Sequence, residues 1–443
     1  MPGLRDLLRV LRHRDFRLLW IGNAASAIGD RIVRVALALY VIGLTGSATD
    51  VGIVLAAYSL PLIVFLLVGG VLADRLPRHL VVVVTDVVRC ALHALLAVLV
   101  VTREARIWQI VAIGVLFATA EAFYRPAVTA LLPQTVPEPE IQEASALRGM
   151  SDNLAEFAGP ALATLLVLGL GPAAAFGLDA VTFAVSAALL VRIRPRARGL
   201  VGAPTTAPAA TTPAAPATAP PAASVWADIV AGFEEVRSRA WVWATLAAFS
   251  VALFVMVAPL YVVGPVVARE RYGDVAVFGY VLAAFGVGTI AATFVAIRWR
   301  PRFPMRRAMA LILLLPVGCA LYPAGAPLAV VLVAMVAGGA GTALFDVLWL
   351  TALAERIPPD KLSRVTSYDW AVSFGLMPLG YILAGPVADA VGASELLLGG
   401  AIVGFAALAL GLLPRETRML ARLETAPPPG ARAAARRPQA APP

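Results

Sequence analysis

Apolar residues occur along the chain in long stretches with little alternation, as in 56–72 and 328–344, separated by charged, glycine or proline positions. A stretch of about 20 such residues is what a helix needs to cross ~30 Å of hydrocarbon, whereas a barrel strand is half as long and alternates in polarity. The breaks define twelve candidate spans at 16–44, 50–72, 80–101, 107–131, 144–169, 172–192, 241–266, 276–298, 306–324, 328–354, 364–390 and 393–413. The pattern predicts an all-α integral membrane protein with twelve transmembrane helices. Residues 1–16 carry Arg5, Arg9, Arg12 and Arg14 without a short apolar stretch and cleavage site, and so read as a basic interfacial helix, not a signal peptide. Residues 225–239 set apolar positions at helical spacing among Asp228, Glu234, Glu235 and Arg237, which predicts a helix lying on the membrane surface.

Composition supports this reading. Of 443 residues, 60% are hydrophobic and 14% charged, where a soluble protein carries about a quarter charged residues. A soluble enzyme and a separate catalytic domain are excluded, since the only long polar stretches are the N-terminus, one central linker and the tail. A net charge of +9 suggests nucleic acid in a soluble protein, but here the placement of arginine matters more than the sum. Arg75, Arg78, Arg192, Arg194, Arg196, Arg198, Arg298, Arg300, Arg302, Arg306 and Arg307 lie in loops on the side of the N-terminus. The opposite loops carry only Arg103, Arg106, Arg269 and Arg271. The positive-inside rule then puts both termini in the cytoplasm, and the Ala, Gly, Pro and Arg bias points to a bacterial inner membrane. Cys90 and Cys319 fall in separate apolar spans, so neither a disulfide nor a metal site is expected. No Gly-Lys-Ser/Thr phosphate loop is present, and no cofactor is implied.

Between 194 and 224 the sequence turns rich in Pro, Ala and Thr, a composition that neither packs nor pairs its backbone and predicts a disordered linker. It divides the chain into 1–193, with its basic leading segment, and 225–415, with its amphipathic surface helix. A disordered basic tail, 416–443, follows. Three pairs of segments repeat in order: VGIVLAAY (51–58) with FGYVLAAF (278–285), FYRPAVTAL (123–131) with FDVLWLTAL (345–353), and AGPALA (158–163) with AGPVAD (384–389). The offsets of 227, 222 and 226 pair span n with span n+6, so the halves read as parallel six-helix repeats.

The loop GGVLADRLPRH (69–79) resembles the signature of the major facilitator superfamily: Gly70, Asp74, Arg75 and Arg78 match, while Pro77 and His79 depart from it. FRLLWIGNAASAIGD (16–30), LTGSATDVG (44–52), RPAVTALLPQTVPE (125–138) and LAERIPPDKLSRVTS (353–367) resemble the exporter branch that includes the enterobactin exporter and macrolide efflux proteins. The resemblance implies that spans 1, 4, 7 and 10 line a central cavity and that 2, 5, 8 and 11 form the interface between halves. It also makes the loop with Gly70, Asp74, Arg75 and Arg78 a conformational latch, and Gly159-Pro160 and Gly385-Pro386 gate or kink positions like the antiporter signature.

An ionisable residue at mid-bilayer costs several kcal/mol unless paired or hydrated, and so marks a pathway by default. The first span places Asp30, Arg31 and Arg34 near its middle, with Asp30 and Arg34 on one face and Asn23 on roughly the same stripe. Glu121 and Arg125 repeat the spacing in the fourth span, and Arg148, Asp152 and Glu156 form a ladder in the fifth. The reading is that one or more of Asp30, Glu121 and Glu156 bind a proton, with Arg31, Arg34 or Arg125 returning them to the ionised form according to conformation. The competing reading makes these groups permanent ties between helices. Asp86 and Arg89 fit a structural pair, Asp179 an interfacial position, and His93 packing. Candidates for the substrate cavity are Trp20, Asn23, Tyr124, Phe254, Met256, Tyr261, Asp346, Trp349 and Phe374, aromatic, flexible or polar groups suited to amphipathic molecules.

These observations predict a proton-coupled exporter of a hydrophobic or amphipathic small molecule such as a drug, antibiotic or siderophore, working by alternating access. The alternatives are an importer or lipid flippase on the same fold, or a transport-inactive membrane sensor or assembly partner. The expected partners are substrate, proton and membrane lipid. Neither nucleic acid nor enzymatic chemistry is expected, and the chain is expected to be a monomer.

Overall fold

The computed structural model describes residues 9–65, 77–194, 233–299 and 301–421. The expected linker, the loop carrying Gly70, Asp74 and Arg75, and the tail beyond 421 lie outside these residues. The helices are α1 (Arg14–Thr45), α2 (Ala48–Phe65), α3 (Arg78–Val101), α4 (Ile107–Leu131), α5 (Ile141–Leu170) and α6 (Pro172–Leu190). After residue 233 come α7 (Ala240–Tyr272), α8 (Ala276–Arg298), α9 (Pro304–Leu321), α10 (Leu328–Arg356), α11 in two parts (Pro359–Gly375 and Met377–Val391) and α12 (Ala393–Leu410). Among the described residues, ten helices are long and apolar enough to cross a membrane, and no strand occurs. The full lengths of α1 and α5 also suffice for a crossing, but their polar and charged residues lower the hydropathy.

The ends of the helices follow local chemistry. Gly46, at φ +70°, closes α1 in a left-handed cap, and the Ser47 hydroxyl accepts the Asp50 N–H at 3.2 Å to open α2. Positive φ recurs in three pairs: Gly46 and Gly273 stand 227 apart, Arg103 and Gly325 stand 222 apart, and Gly171 and Gly392 stand 221 apart. The chain therefore turns in the same way at corresponding places before and after residue 233. Within the helices, Pro160 and Pro386 sit in unbroken runs. The breaks fall elsewhere. α2 opens at Tyr58-Ser59, ahead of Pro61, where the Ser59 hydroxyl bonds back to the Leu55 carbonyl at 2.8 Å. α7 widens at Leu253–Val257, ahead of Pro259, and α11 is interrupted at Leu376.

In the first set, α1 packs on α5 and α6, and α3 on α4 and α6. In the second, α10 lies against α8 and α9, and α12 against α7 and α9. The two sets meet through α5 with α8 and α2 with α11. Thr164 on α5 donates to the Gly279 carbonyl at 3.0 Å, and the Thr49 hydroxyl lies 3.4 Å from Asp389. Gly52 rests on the Tyr381 carbonyl and Gly385 on the Thr49 backbone, so a Cβ at either glycine would collide with main chain. These contacts all lie toward the end of the bundle opposite the N-terminus. Large apolar side chains such as Leu165, Leu170, Phe294, Val333 and Ile402 point outward, as expected of a lipid-facing surface.

At the end that carries the N-terminus, each set is tied by charge. Arg12 and His13 meet Glu140 at the start of α5, the His13 contact at 2.8 Å. Glu235 meets Arg239 at 2.5 Å and Lys361 at 2.9 Å. Arg239 also donates to the Arg356 carbonyl at 3.0 Å, and Arg356 donates to the Ala421 carbonyl. The chain expected to be disordered from 416 instead begins as a short helix, Arg415–Met419, with Glu416 accepting the Trp241 N–H at 3.4 Å. These bonds hold it against α7 and α10.

Two outcomes follow. Gly385→Val overpacks the α2–α11 contact and lowers stability by about 1–3 kcal/mol, read as a lower melting temperature in detergent. The hydrogen bonds from Lys361 and then Arg239 hold the Glu235 carboxyl below the usual carboxylate range. Because the folded state binds this proton less readily than the unfolded chain, the contribution is present above the ordinary carboxylate pKa and is lost as the pH falls through the lower folded value. Wild type therefore melts above Glu235→Gln at neutral pH, and the gap closes on acidification.

Candidate functional site

The chemistry concentrates in the first set of helices. Along α3, Asp86, Arg89 and His93 occur at spacings of three and four, which puts them on one stripe of an otherwise apolar helix. α6 presents Asp179 and Ser186 two turns apart on the face that meets them. With the helices packed, Asp86, Arg89, His93 and Asp179 are 0–1% exposed, and they are the only buried Asp, Glu, Lys, Arg or His side chains among the described residues. Arg89 pairs with Asp86, whose other oxygen accepts the Ser186 hydroxyl at 2.6 Å. The guanidinium carbon stands 4.0 Å from the Tyr124 ring centre and 4.3 Å from that of Phe183, contacts that suit a desolvated cation. His93 Nδ1 bonds Asp179, its Nε2 lies 3.4 Å from the Tyr58 hydroxyl, and its ring stacks on Phe117 at 4.2 Å.

Asp30 stands at the edge of this array. It is 25% exposed, its Oδ2 lies 4.0 Å from Arg89 Nη1, and its Oδ1 is buried without a hydrogen-bond partner. Its neighbour Gly29 packs directly on Asp179, a contact that leaves no room for a side chain on α1. Sequence reasoning found Asp30 and the Asp86–Arg89 pair but not the array that joins them. The expected packing role of His93 and interfacial role of Asp179 are corrected: the two form one buried polar pair. The spacing of 86, 89 and 93, matched by 179 and 186 on α6, was the available signal.

The other candidates separate by contact. Glu121 accepts two hydrogen bonds from Arg125 within α4, at 2.9 and 2.6 Å. Arg31 lies against Gly159 on α5, and Arg34, one turn from Asp30, is half-buried. Arg148 stands 3.7 Å from Asp152, which in turn accepts the Asn23 amide at 2.9 Å; the Glu156 side chain lies outside the described residues. Trp20 donates to Ser151 at 2.8 Å, and Tyr124 donates to Asn23 at 3.3 Å. Asn23 and Tyr124 are thus buried within the first set. Met256 and Trp349 are also core residues: Met256 rests on Gly404, and Trp349 stacks with Phe345, meets Trp241 edge-on and donates to Asp369 at 2.9 Å. Their aromatic and flexible character serves packing between α7, α10, α11 and α12. Phe254, Tyr261 and Asp346 are half-buried and Phe374 is exposed, positions compatible with a wall. Asp369, an acid within α11 that sequence reasoning did not single out, also lies within 3.3 Å of the Ser373 hydroxyl. Arg78 donates to the Ala130 carbonyl at 3.4 Å and ties α3 to α4.

No group of three or more His, Cys, Asp or Glu arranged for a metal occurs among the described residues. Cys90 and Cys319 are both free thiols.

The chain is 28% identical over 151 residues to the macrolide efflux protein A of Streptococcus pyogenes, a match covering 34% of this chain and 37% of that protein. It is 26% identical over 390 residues to the multidrug efflux pump Tap of Mycolicibacterium fortuitum, covering 85% of this chain and 89% of that pump. Among solved structures, a point mutant of the nucleoside transporter NupG superposes with TM-score 0.65 at 11% identity over 89% of this chain and 99% of its own. An auto-inhibited POT family peptide transporter gives TM-score 0.64 at 15% identity over 93% and 99%. These similarities show a shared transporter fold. The chain spans little more than a third of the length of the first curated relatives it matches, but the family model described as transmembrane secretion effector matches residues 7–427, and the chain belongs to that family of non-catalytic, multi-pass membrane proteins of the major facilitator type.

Proposed function

We propose that the chain is a proton-coupled transporter of an amphipathic small molecule, built as twelve membrane-crossing helices in two six-helix repeats with both termini cytoplasmic in a bacterial inner membrane. Three observations support the two-repeat reading: the sequence offsets near 222–227, the paired left-handed turns, and the meeting of the two sets through α2 with α11 and α5 with α8. The observation that carries proton coupling is the Asp30 carboxyl, with one oxygen buried and unpartnered and the other 4.0 Å from Arg89. A carboxylate in that position carries an unsatisfied charge; a proton removes the charge, and partial exposure gives it a route in and out. Glu121, already bonded to Arg125, is better suited to hold helix geometry, while Arg31, Arg34 and Arg125 set the field around Asp30. Phe254, Tyr261, Asp346 and Phe374 are the groups we assign to substrate. Gly70, Asp74, Arg75 and Arg78 are assigned to the latch, and Gly159, Pro160, Gly385 and Pro386 to the close helix contacts that move when access alternates.

For direction, the names of the macrolide and multidrug efflux relatives support export. Uptake, or lipid translocation on the same fold, is the second reading. The solved nucleoside and peptide transporters, which match over about nine-tenths of the chain, show that the same fold also carries other small molecules. Proteoliposomes loaded with a pH dye and given radiolabelled erythromycin distinguish these. Coupled export in an inside-out orientation accumulates the macrolide as protons leave, coupled uptake accumulates it only in the opposite orientation and as protons enter, and movement without proton flux overturns the coupling.

Asp30→Asn is expected to lower substrate-dependent proton flux at least about tenfold. Glu121→Gln instead removes the charge that accepts two Arg125 hydrogen bonds and lowers the melting temperature, a loss of about 1–3 kcal/mol for a partly exposed pair. Equal flux in Asp30→Asn and wild type removes Asp30 from the coupling role.

A further inference from the structure

The His93–Asp179 pair has a charge balance that the remainder of the array does not settle. At 0–1% exposure the array contains two carboxylates, one guanidinium and one imidazole. Asp86 and Arg89 neutralise each other within α3, with Ser186 completing the Asp86 shell. Asp179 and His93 are left together: with a neutral imidazole the pair carries a full negative charge in the interior, and with one added proton it carries none. A buried net charge is far costlier than a neutral pair, so the pair favours binding one proton. The charged and titratable groups around it are Asp30 and Arg31 from α1, Tyr58 from α2, Asp86, Arg89 and Cys90 from α3, and Glu121 and Tyr124 from α4. Gly29, packed on Asp179, brings the Asp30 backbone beside the pair, so the partly exposed carboxyl of α1 and the buried site on α3 and α6 are neighbours.

On the other side stands Tyr58, whose hydroxyl lies 3.4 Å from His93 Nε2. Tyr58 is the residue at which α2 stops being a regular helix, and the segment before it, Ala48–Ala57, is the part of α2 that packs on α11. A change at Nε2 is therefore felt at the break in the helix that joins the two sets.

We propose that His93 and Asp179 form a binding site for a single exchangeable proton and that the break in α2 at Tyr58 responds to its occupancy. The site gives the proton taken up at Asp30 a second, fully buried station; its place in transport rests on the proton-coupled reading, while the site itself does not. The proton passes between a carboxyl oxygen and an imidazole nitrogen, with no bond to carbon made or broken.

The test is nitrogen NMR of the full chain labelled at its three histidines, with His13→Gln and His79→Gln spectra used to assign His93. The expected result is a conversion of His93 between imidazolium and neutral imidazole across about pH 5 to about pH 9, with the midpoint moved by at least ~0.5 unit in Tyr58→Phe. A single protonation state across that range overturns the site, and an unmoved midpoint in Tyr58→Phe overturns the link to α2. These spectra need only folded wild type and the conservative Tyr58→Phe, so they stand even where His93→Gln fails to fold. If wild-type vesicles show no substrate-dependent proton flux, proton coupling falls while the NMR titration still decides the site. If flux is present and His93 never changes state, the site falls and proton coupling stands.

Discussion

A guanidinium shut away from water governs the arrangement of the first six helices. Arg89 is 1% exposed, and an arginine in that setting persists only when anions and polarisable faces surround it. Asp86 supplies the anion from the same helix, Asp30 approaches from α1, and the rings of Tyr124 and Phe183 close over it from α4 and α6. Four helices are thereby fixed against one side chain. The small residues of α1 answer the same demand, since Gly22 and Gly29 let α1 approach α6 closely enough for Ser186 and Asp179 to fit between them.

The second set has a different interior. Among its described residues no Asp, Glu, Lys, Arg or His is buried; its ordered polar contacts include Tyr322 to the Gly264 carbonyl at 2.7 Å and Trp349 to Asp369, within stacks of Phe249, Phe345 and Trp349. Such packing is insensitive to protonation, whereas the first set is built around it. The joints between the sets are mainly steric, glycine on main chain, and sit toward one end.

Spans and turns were legible in the sequence because hydropathy and glycine report on local conformation. Gly46, Gly171, Gly273 and Gly392 mark helix ends in the text of the chain as they do in three dimensions. Asp30 was legible because an acid in an apolar run has few innocent explanations. The His93–Asp179 pair was not, since its members are far apart in sequence and hydropathy does not say which faces of two helices meet. Trp349 and Met256 misled for the converse reason: a large soft side chain has the same sequence signature in a cavity wall and in a core, and only the neighbours, Trp241 and Gly404, decide. The break in α2 fell two residues before Pro61, whereas Gly159-Pro160 and Gly385-Pro386 lie in continuous helix.

The ties at the N-terminal end use opposite polarity. In the first set a basic leading segment, Arg12 and His13, grips an acid, Glu140; in the second an acidic one, Glu235, grips a base, Lys361, which stands 221 residues beyond Glu140. Were the leading segments to exchange places, Arg12 would face Lys361 and Glu235 would face Glu140, and both meetings would be repulsive. Inverted charge thus matches each leading segment to its own set of helices.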